Sequence, residues 1–488
     1  VIAWVNHINA FFTFCPYSIG MKKVLLAILF CSIYVLGYSQ HLVSATFIDQ
    51  TQPTTFSLFT PQAIYAVKAY KITYHTTNVD GTPTVASGLV VVPEGTSCDS
   101  LPMAVYNHGT VLLKNDVPSR NNSEALITKV VASTGAIAVA PDYLGLGDNP
   151  GLHPYLHAQT EATATIDLMR AAREFSGDSL QIYFNTETFV TGYSQGGHAA
   201  MATTRYIQDS GLTSEFNLIG AGPASGPYYL SGSQAKVLVS NQPYSNPGYV
   251  CYLLFAMNRV YGDIYQAYAD ILKAPYDTLI PPYFDGNYDM SVVNALLPDT
   301  LSGFLQDSVL ANFRNDSVSK THPIWRALIA QDNYNWKPSF PMELYYCTQD
   351  EQVNYQNSID AAMTMTANGA NVSAVNKGAY NHGGCVVPSL QGALGFFISQ
   401  RSNCNIGLIE NKAVDKLQVY PNPVKDWFTL SGFEDLISLR VFNSEGQLIL
   451  EKELNAQEPI NTRAWSAGVY TIEITQNQNK VYRKLTVM

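Results

Sequence analysis

The sequence predicts an α/β fold: a doubly wound, mainly parallel sheet interrupted by a helical insertion, followed by a small C-terminal all-β sandwich domain. Three observations carry that prediction. From residue 102 to residue 222, apolar runs alternate with helix-like stretches, and the runs are apolar on both faces, as strands covered by helices on two sides must be. Within that alternation an apolar run at 187–191 leads into Gly192-Tyr193-Ser194-Gln195-Gly196-Gly197, then into the helix formers of 198–205. Beyond Val414 the texture changes to short alternating segments separated by Gly and Asn turns.

The chain has 488 residues, too many for one ordinary domain, and its 47% hydrophobic content supplies an ample core. A net charge of −10 and the lack of any long Lys/Arg run argue against nucleic acid as a partner. Residues 1–20 read as an upstream extension of the frame, because Met21-Lys22-Lys23 makes the better start. A positive opening, a short apolar run through Leu36, and the small residues Gly37 and Ser39 predict a secretory signal over 21–39, cut before Gln40. The run is too short for a comfortable membrane span.

In order, strands are expected at 69–77 and 86–93, joined through Asp80-Gly81, and then a buried strand at 102–107. A helix over 123–133, with Ser123 as its cap, leads to an apolar strand at 135–140. Helical periodicity over 161–175 places Ile166, Leu168, Met169 and Ala172 on one side. After the serine strand and its helix comes a strand at 217–222. The alternation then breaks for residues 228–325, where Leu254, Met257, Tyr261, Ile264, Tyr265, Tyr268 and Leu272 recur at helical spacing. Most of these side chains should pack a subdomain core, with a share facing a cleft that Ile280-Pro281-Pro282-Tyr283-Phe284 could wall. Strands resume at 342–347 and 371–375 with a helix at 355–367 between them, and a last helix runs over 389–402. The main domain is thus expected over 40–408 and the β domain over 414–488.

Export of such a chain leaves Cys98, Cys251, Cys347, Cys385 and Cys404, an odd number, so at least one thiol stays unpaired. Cys385 with Cys404 is the first pairing to expect, because it would pin the loop after His382 to the following helix. No Cys-x-x-Cys or His-x-x-x-His spacing suggests a metal, and no cofactor is expected.

Strand, Gly-x-Ser-x-Gly and helix together describe a turn so tight that side chains at 192 or 196 would clash, with the serine hydroxyl thrust outwards. An activated serine needs a base, an orienting acid, and two N–H donors for the oxyanion. In a doubly wound sheet these come from loops at the carboxyl ends of strands. The loop after 342–347 offers Asp350, with Glu351 as fallback. The loop after 371–375 offers His382, followed by Gly383-Gly384, and of nine histidines it alone follows the acid loop. Gln195 and Thr110 are the expected backbone donors, with His108 holding the Thr110 loop in shape. The loop 142–155 should brace its neighbours, a ligand role for Asp148 or His153 being the alternative.

The order Ser194, Asp350, His382 is that of an α/β-hydrolase. Together with His108-Gly109-Thr110, Asp142-Tyr143-Leu144-Gly145-Leu146-Gly147 and the serine motif, it resembles the secretory lipase family over roughly residues 60–402. The resemblance implies Ser194 as nucleophile, Asp350 as acid, His382 as base, and a cap formed by the insertion. Tyr420-Pro421-Asn422-Pro423, Ala467-Gly468-Val469-Tyr470 and the basic-then-apolar 484–488 resemble a type IX secretion sorting domain. That likeness implies the type IX machinery as partner and a secreted or surface location reached through the periplasm; a substrate-binding β-sandwich is the competing use. The expected activity is hydrolysis of lipid or other esters. The alternatives are a serine peptidase on the same fold and a surface binding protein on an inactive scaffold.

Overall fold

The computed structural model describes residues 41–56, 59–98, 100–236, 240, 242–402, 418–431, 437–443, 446–455, 458–476 and 479–488. The expected upstream extension, signal segment and boundary between 408 and 414 lie outside these residues, as does Cys404. The chain divides into two compact units near Arg401 and Ser402.

The first unit is built on nine strands: β1 (Leu42–Thr51), β2 (Val67–Thr77), β3 (Pro83–Pro93), β4 (Ser100–Asn107), β5 (Ile137–Pro141), β6 (Tyr183–Tyr193), β7 (Asn217–Ala224), β8 (Met342–Tyr346) and β9 (Val372–Asn376). They form one sheet in the order β1-β2-β3-β5-β4-β6-β7-β8-β9. The pairs from β5 through β9 are parallel, while β1, β2 and β3 run as antiparallel neighbours ending on β5. Apolar runs decide which strands lie central: β5 is buried along its whole length. β1 escaped sequence analysis because it is an edge strand, mostly exposed and without a clean alternation.

Five helices cover or flank this sheet: α1 (Ser123–Ala132), α2 (Ala158–Leu180), α3 (Gln195–Asp209), α6 (Gln356–Ala367) and α7 (His382–Gln400). The longer helix α4 (Pro247–Tyr261), three short ones (Tyr276–Leu279, Met290–Leu296, Asp307–Asn315) and α5 (Pro323–Ala330) belong to the insertion. Asn122, rather than Ser123, caps α1, its side-chain oxygen accepting from the N–H groups of Glu124 and Ala125 at 3.1 and 3.2 Å. The last helix begins at His382, earlier than expected, because Asn381 caps it by accepting from the Gly384 N–H at 2.8 Å. The two glycines after His382 therefore sit in a helical turn and not in a loop. The expected stripe from Leu254 to Leu272 is helical only as far as Tyr261, where Gly262 at φ +73° ends α4.

Leu254, Met257, Leu272, Ile280, Phe284 and Trp325 pack with one another as a core of the insertion. The Ile280–Phe284 segment is thus an internal wall of that core, not the lining of a cleft. A disulfide joins Cys347 to Cys385, which replaces the expected Cys385–Cys404 pairing: β8 and the start of α7 bring these two residues within 5.9 Å, Cα to Cα. Cys98 is also disulfide-bonded, and Cys251 is a buried free thiol.

The second unit is all-β. A three-stranded sheet (Gln418–Tyr420, Trp427–Ser431, Ile460–Asn461) and a four-stranded antiparallel sheet (Leu448–Leu454, Ile437–Phe442, Gly468–Gln476, Asn479–Val487) share a core that includes Val424, Phe428, Leu439, Ile472 and Leu485. No described helix is long and apolar enough to cross a membrane.

Candidate active site

Parallel register sets the carboxyl ends of the central strands side by side, pairing Asn107 with Gly192 and Tyr193 with Ala224. At that edge β6 turns directly into α3 through Ser194. The turn has no room for side chains at its flanks. A Cβ on Gly192 would lie 2.2 Å from the Gly196 carbonyl oxygen, and one on Gly196 would lie 1.9 Å from that of Asn107. Ser194 itself is held at φ +59°, ψ −120°, with its N–H donating to the Ala224 carbonyl at 3.0 Å.

The sequence-predicted acid and base meet this serine. His382 Nε2 lies 2.9 Å from Ser194 Oγ, and His382 Nδ1 lies 2.7 Å from Asp350 Oδ2. A carboxylate only accepts, so Nδ1 carries the proton and Nε2 faces the hydroxyl as acceptor. The Asp350 side chain is 1% exposed, and its other oxygen accepts from the N–H groups of Gln352 (3.0 Å) and Val353 (2.9 Å). Two backbone donors and one imidazole therefore fix the carboxylate in place.

Glu351, the fallback acid, braces His382 instead, its Oε2 accepting from the His382 backbone N–H at 3.0 Å. Burial works against the Glu351 charge, but that hydrogen bond, further bonds from its own backbone and the Gln352 side chain, and the nearby His382 ring together outweigh it and lower the pKa. Tyr193 adds a third brace, its hydroxyl donating to the His382 carbonyl at 2.5 Å.

Gln195 opens α3, so its N–H is among those a helix leaves without an internal acceptor. Among the described residues neither this N–H nor that of Thr110 is engaged by a backbone carbonyl. The Thr110 loop passes close to the serine: a Cβ on Gly109 would lie 3.9 Å from Ser194 Cβ. His108, wholly buried, has Nδ1 2.7 Å from the Gly109 carbonyl, which keeps it in the loop's frame. Thr110 Oγ1 and Tyr155 Oη lie 3.0 Å apart.

Asp142 accepts from the Ser119 N–H (3.0 Å) and Ser87 Oγ (2.6 Å), and Asp148 pairs with Lys71 and Arg120. Both carboxylates brace loops, as the sequence leads one to expect of this stretch. His153 instead contacts the Gln195 side chain. Sequence reasoning missed Glu161 and Tyr193 as partners of this site, and considered Glu351 only as an alternative acid. For Glu161 a signal existed: a carboxylate at the head of the buried stripe formed with Thr165, Leu168 and Ala172.

A cleft of about 590 Å³, open mouth included, reaches Ser194 and Gln195. Leu230, Tyr244, Tyr249, Val250 and Leu253 line it from the insertion, and Val353 from the acid loop. Leu230 opens a π-helical turn, Leu230–Gln234, of the kind often found at functional sites. No group of His, Cys, Asp and Glu that could hold a metal occurs among the described residues.

A sheet of this order, with a serine on the strand-to-helix turn and a helical insertion above the carboxyl edge, is that of the α/β-hydrolases. The chain belongs to the secretory lipase family, whose model matches residues 120–405, and so falls among the secreted carboxylic ester hydrolases. Residues 418–488 match the secretion system C-terminal sorting domain, so the protein is secreted or displayed at the cell surface.

Among solved structures it is similar to the rice cell wall degrading esterase LipA from Xanthomonas oryzae (27% identity, TM-score 0.66, 75% of this chain and 100% of that one). It is similar to the same degree to a putative hydrolase from Legionella pneumophila (27% identity, TM-score 0.67, 74% and 99%). A curated relative, an ulvan lyase from Nonlabens ulvanivorans, is 35% identical over 80 residues, which span 15% of each chain.

Proposed function

We propose that this protein hydrolyses carboxylic esters through an acyl-enzyme on Ser194. The observation that carries the proposal is the unbroken relay from Asp350 through His382 to Ser194, at 2.7 and 2.9 Å. In this scheme Ser194 Oγ attacks the ester carbonyl while His382 Nε2 takes its proton. Asp350 stabilises the imidazolium that forms, and the Gln195 and Thr110 N–H groups receive the oxyanion. His382 then protonates the departing alcohol, and water, activated by the same imidazole, frees the acid. Labelling of Ser194 by a fluorophosphonate, with turnover of p-nitrophenyl esters from acetyl to palmitoyl, tests the scheme. The Xanthomonas relative is a cell wall degrading esterase, so polysaccharide-borne esters belong in the same substrate panel.

The insertion serves in this proposal as an acyl-binding cap, with Leu230, Val250 and Leu253 as its apolar lining. Burial contributes about 0.8 kcal/mol per methylene, so four more methylenes should gain roughly 3 kcal/mol, on the order of a hundredfold in kcat/KM. The expected profile rises from butyryl to octanoyl esters, and Leu253→Asn should flatten it. A profile that peaks at acetyl and falls steadily would leave the cap a structural role only.

Type IX machinery is the proposed partner of the C-terminal unit. Because that unit has its own core, ending the chain at residue 413 should leave an active enzyme that accumulates in the periplasm. Normal export of the truncated chain, with loss of binding to insoluble substrate, would instead make the unit a binding module.

A further inference from the structure

Glu161 lies in the first turn of α2 and is 1% exposed. Its Oε1 accepts from Gln195 Nε2 at 2.9 Å, and its Oε2 lies 2.7 Å from His198 Nδ1. Both partners are on α3, at the first and fourth positions after Ser194. His198 is wholly buried, and its Nε2 lies 2.9 Å from the Gln331 carbonyl. The Asn333 amide nitrogen lies 3.3 Å from the same ring nitrogen and donates to the Gln331 carbonyl at 3.1 Å. Acceptors thus face both ring nitrogens, which is the environment of an imidazolium. Burial opposes that charge, but the Glu161 carboxylate, the Gln331 carbonyl and Asp332 together more than offset it and the His198 pKa is raised. The two charges cancel, so the carboxylate adds no net negative charge behind a site where negative charge must develop.

The Gln195 amide is fixed from two sides. Besides Glu161, its Nε2 donates to His153 Nε2 at 2.7 Å. His153 Nδ1 lies 2.7 Å from the Leu144 carbonyl, which places the ring proton on Nδ1 and leaves Nε2 to accept. Burial keeps this ring neutral, lowering its pKa to about 4. Both amide protons are therefore used, while Gln195 Oε1 has no partner among the described residues. An inverted amide would set that oxygen against the Glu161 carboxylate. One orientation survives, and it belongs to the residue whose N–H is the proposed oxyanion donor.

We infer that Glu161 is a positioning residue for the reaction: through the Gln195 amide and His198 it holds the first turn of α3 where the Gln195 N–H meets the oxyanion. The inference rests on the catalytic scheme proposed above. A donor that is misplaced rather than deleted should cost somewhat less than the roughly 10²–10³ in kcat that follows loss of an oxyanion donor.

The test is steady-state kinetics on a butyryl ester for Glu161→Gln, Gln195→Met and the double variant, each with its melting temperature. Gln195→Met keeps the Glu161–His198 pair and removes only the amide. Each single variant is expected to lose about 10- to 100-fold in kcat, with KM changed by less than about threefold. The double variant should resemble the more severe single one, because both break the same contact. Wild-type kcat in Gln195→Met, or losses that multiply in the double variant, would overturn the inference. Should Glu161→Gln fail to fold, the kcat of Gln195→Met decides alone. If the wild-type chain does not react with a fluorophosphonate at Ser194, the catalytic scheme falls and this role with it. If it reacts and Gln195→Met matches it in kcat, only the positioning role falls.

Discussion

Replacing Ser194 or His382 by alanine is expected to reduce kcat by roughly 10⁶-fold, the scale seen when a serine or its base is removed from a triad. Each change deletes a step that no neighbour can perform. Among the side chains around Ser194, His382 alone brings a ring nitrogen to hydrogen-bonding distance of its Oγ in the described contacts. Asp350→Asn should be milder, about 10⁴-fold, because the imidazole survives but its tautomer is no longer enforced. Glu351 does not rescue that variant, since its carboxylate is committed to the His382 backbone N–H and not to the ring. Initial rates on a p-nitrophenyl ester, normalised to folded protein, give the answer. Near-wild-type turnover by Ser194→Ala would end the assignment.

Removing the Cys347–Cys385 bridge is the second large effect, expected at about 4 kcal/mol of stability by chain entropy for a loop of this length. The sequence separation is 38, and both cysteines are buried. Cys347 precedes Asp350 by three residues and Cys385 follows His382 by three, so the bridge also ties the Asp350 loop to the helix that carries His382. A Cys347→Ala, Cys385→Ala variant should therefore show a lower urea midpoint and, at temperatures where it stays folded, a lower kcat. A midpoint shift worth less than about 1 kcal/mol, with the slope unchanged, would show that packing alone holds these segments together.

The parts of this site legible in the sequence are those with local causes. Gly192, Ser194 and Gly196 stand out because backbone sterics demand them, and Asp350 and His382 follow from strand ends and chain order. Pairings between distant segments leave no local mark. Cys385 meets Cys347 instead of Cys404 because β8 and α7 converge, and nothing in the spacing says so. The start of α7 was hidden for a related reason: Gly383, Gly384 and Pro388 all oppose a helix by propensity, yet the Asn381 cap and packing on the sheet override them. In the insertion, seven residues at helical spacing suggested one long helix. Hydrophobic periodicity persists through a turn when both sides of it bury into one core, and the Gly262 stop was the stronger signal.

The backbone angles of Ser194, φ +59° and ψ −120°, suit glycine better than any residue with a Cβ. Such a conformation costs about 1–3 kcal/mol, so the fold carries stress at the residue proposed as its nucleophile. Selection for heat resistance alone would favour glycine at 194, whereas selection for turnover would restore serine. Alanine keeps the Cβ and relieves none of this strain, so Ser194→Ala gains no stability from the backbone. The chain thus sets two evolutionary pressures against each other at a single side chain, and the serine marks which one has prevailed.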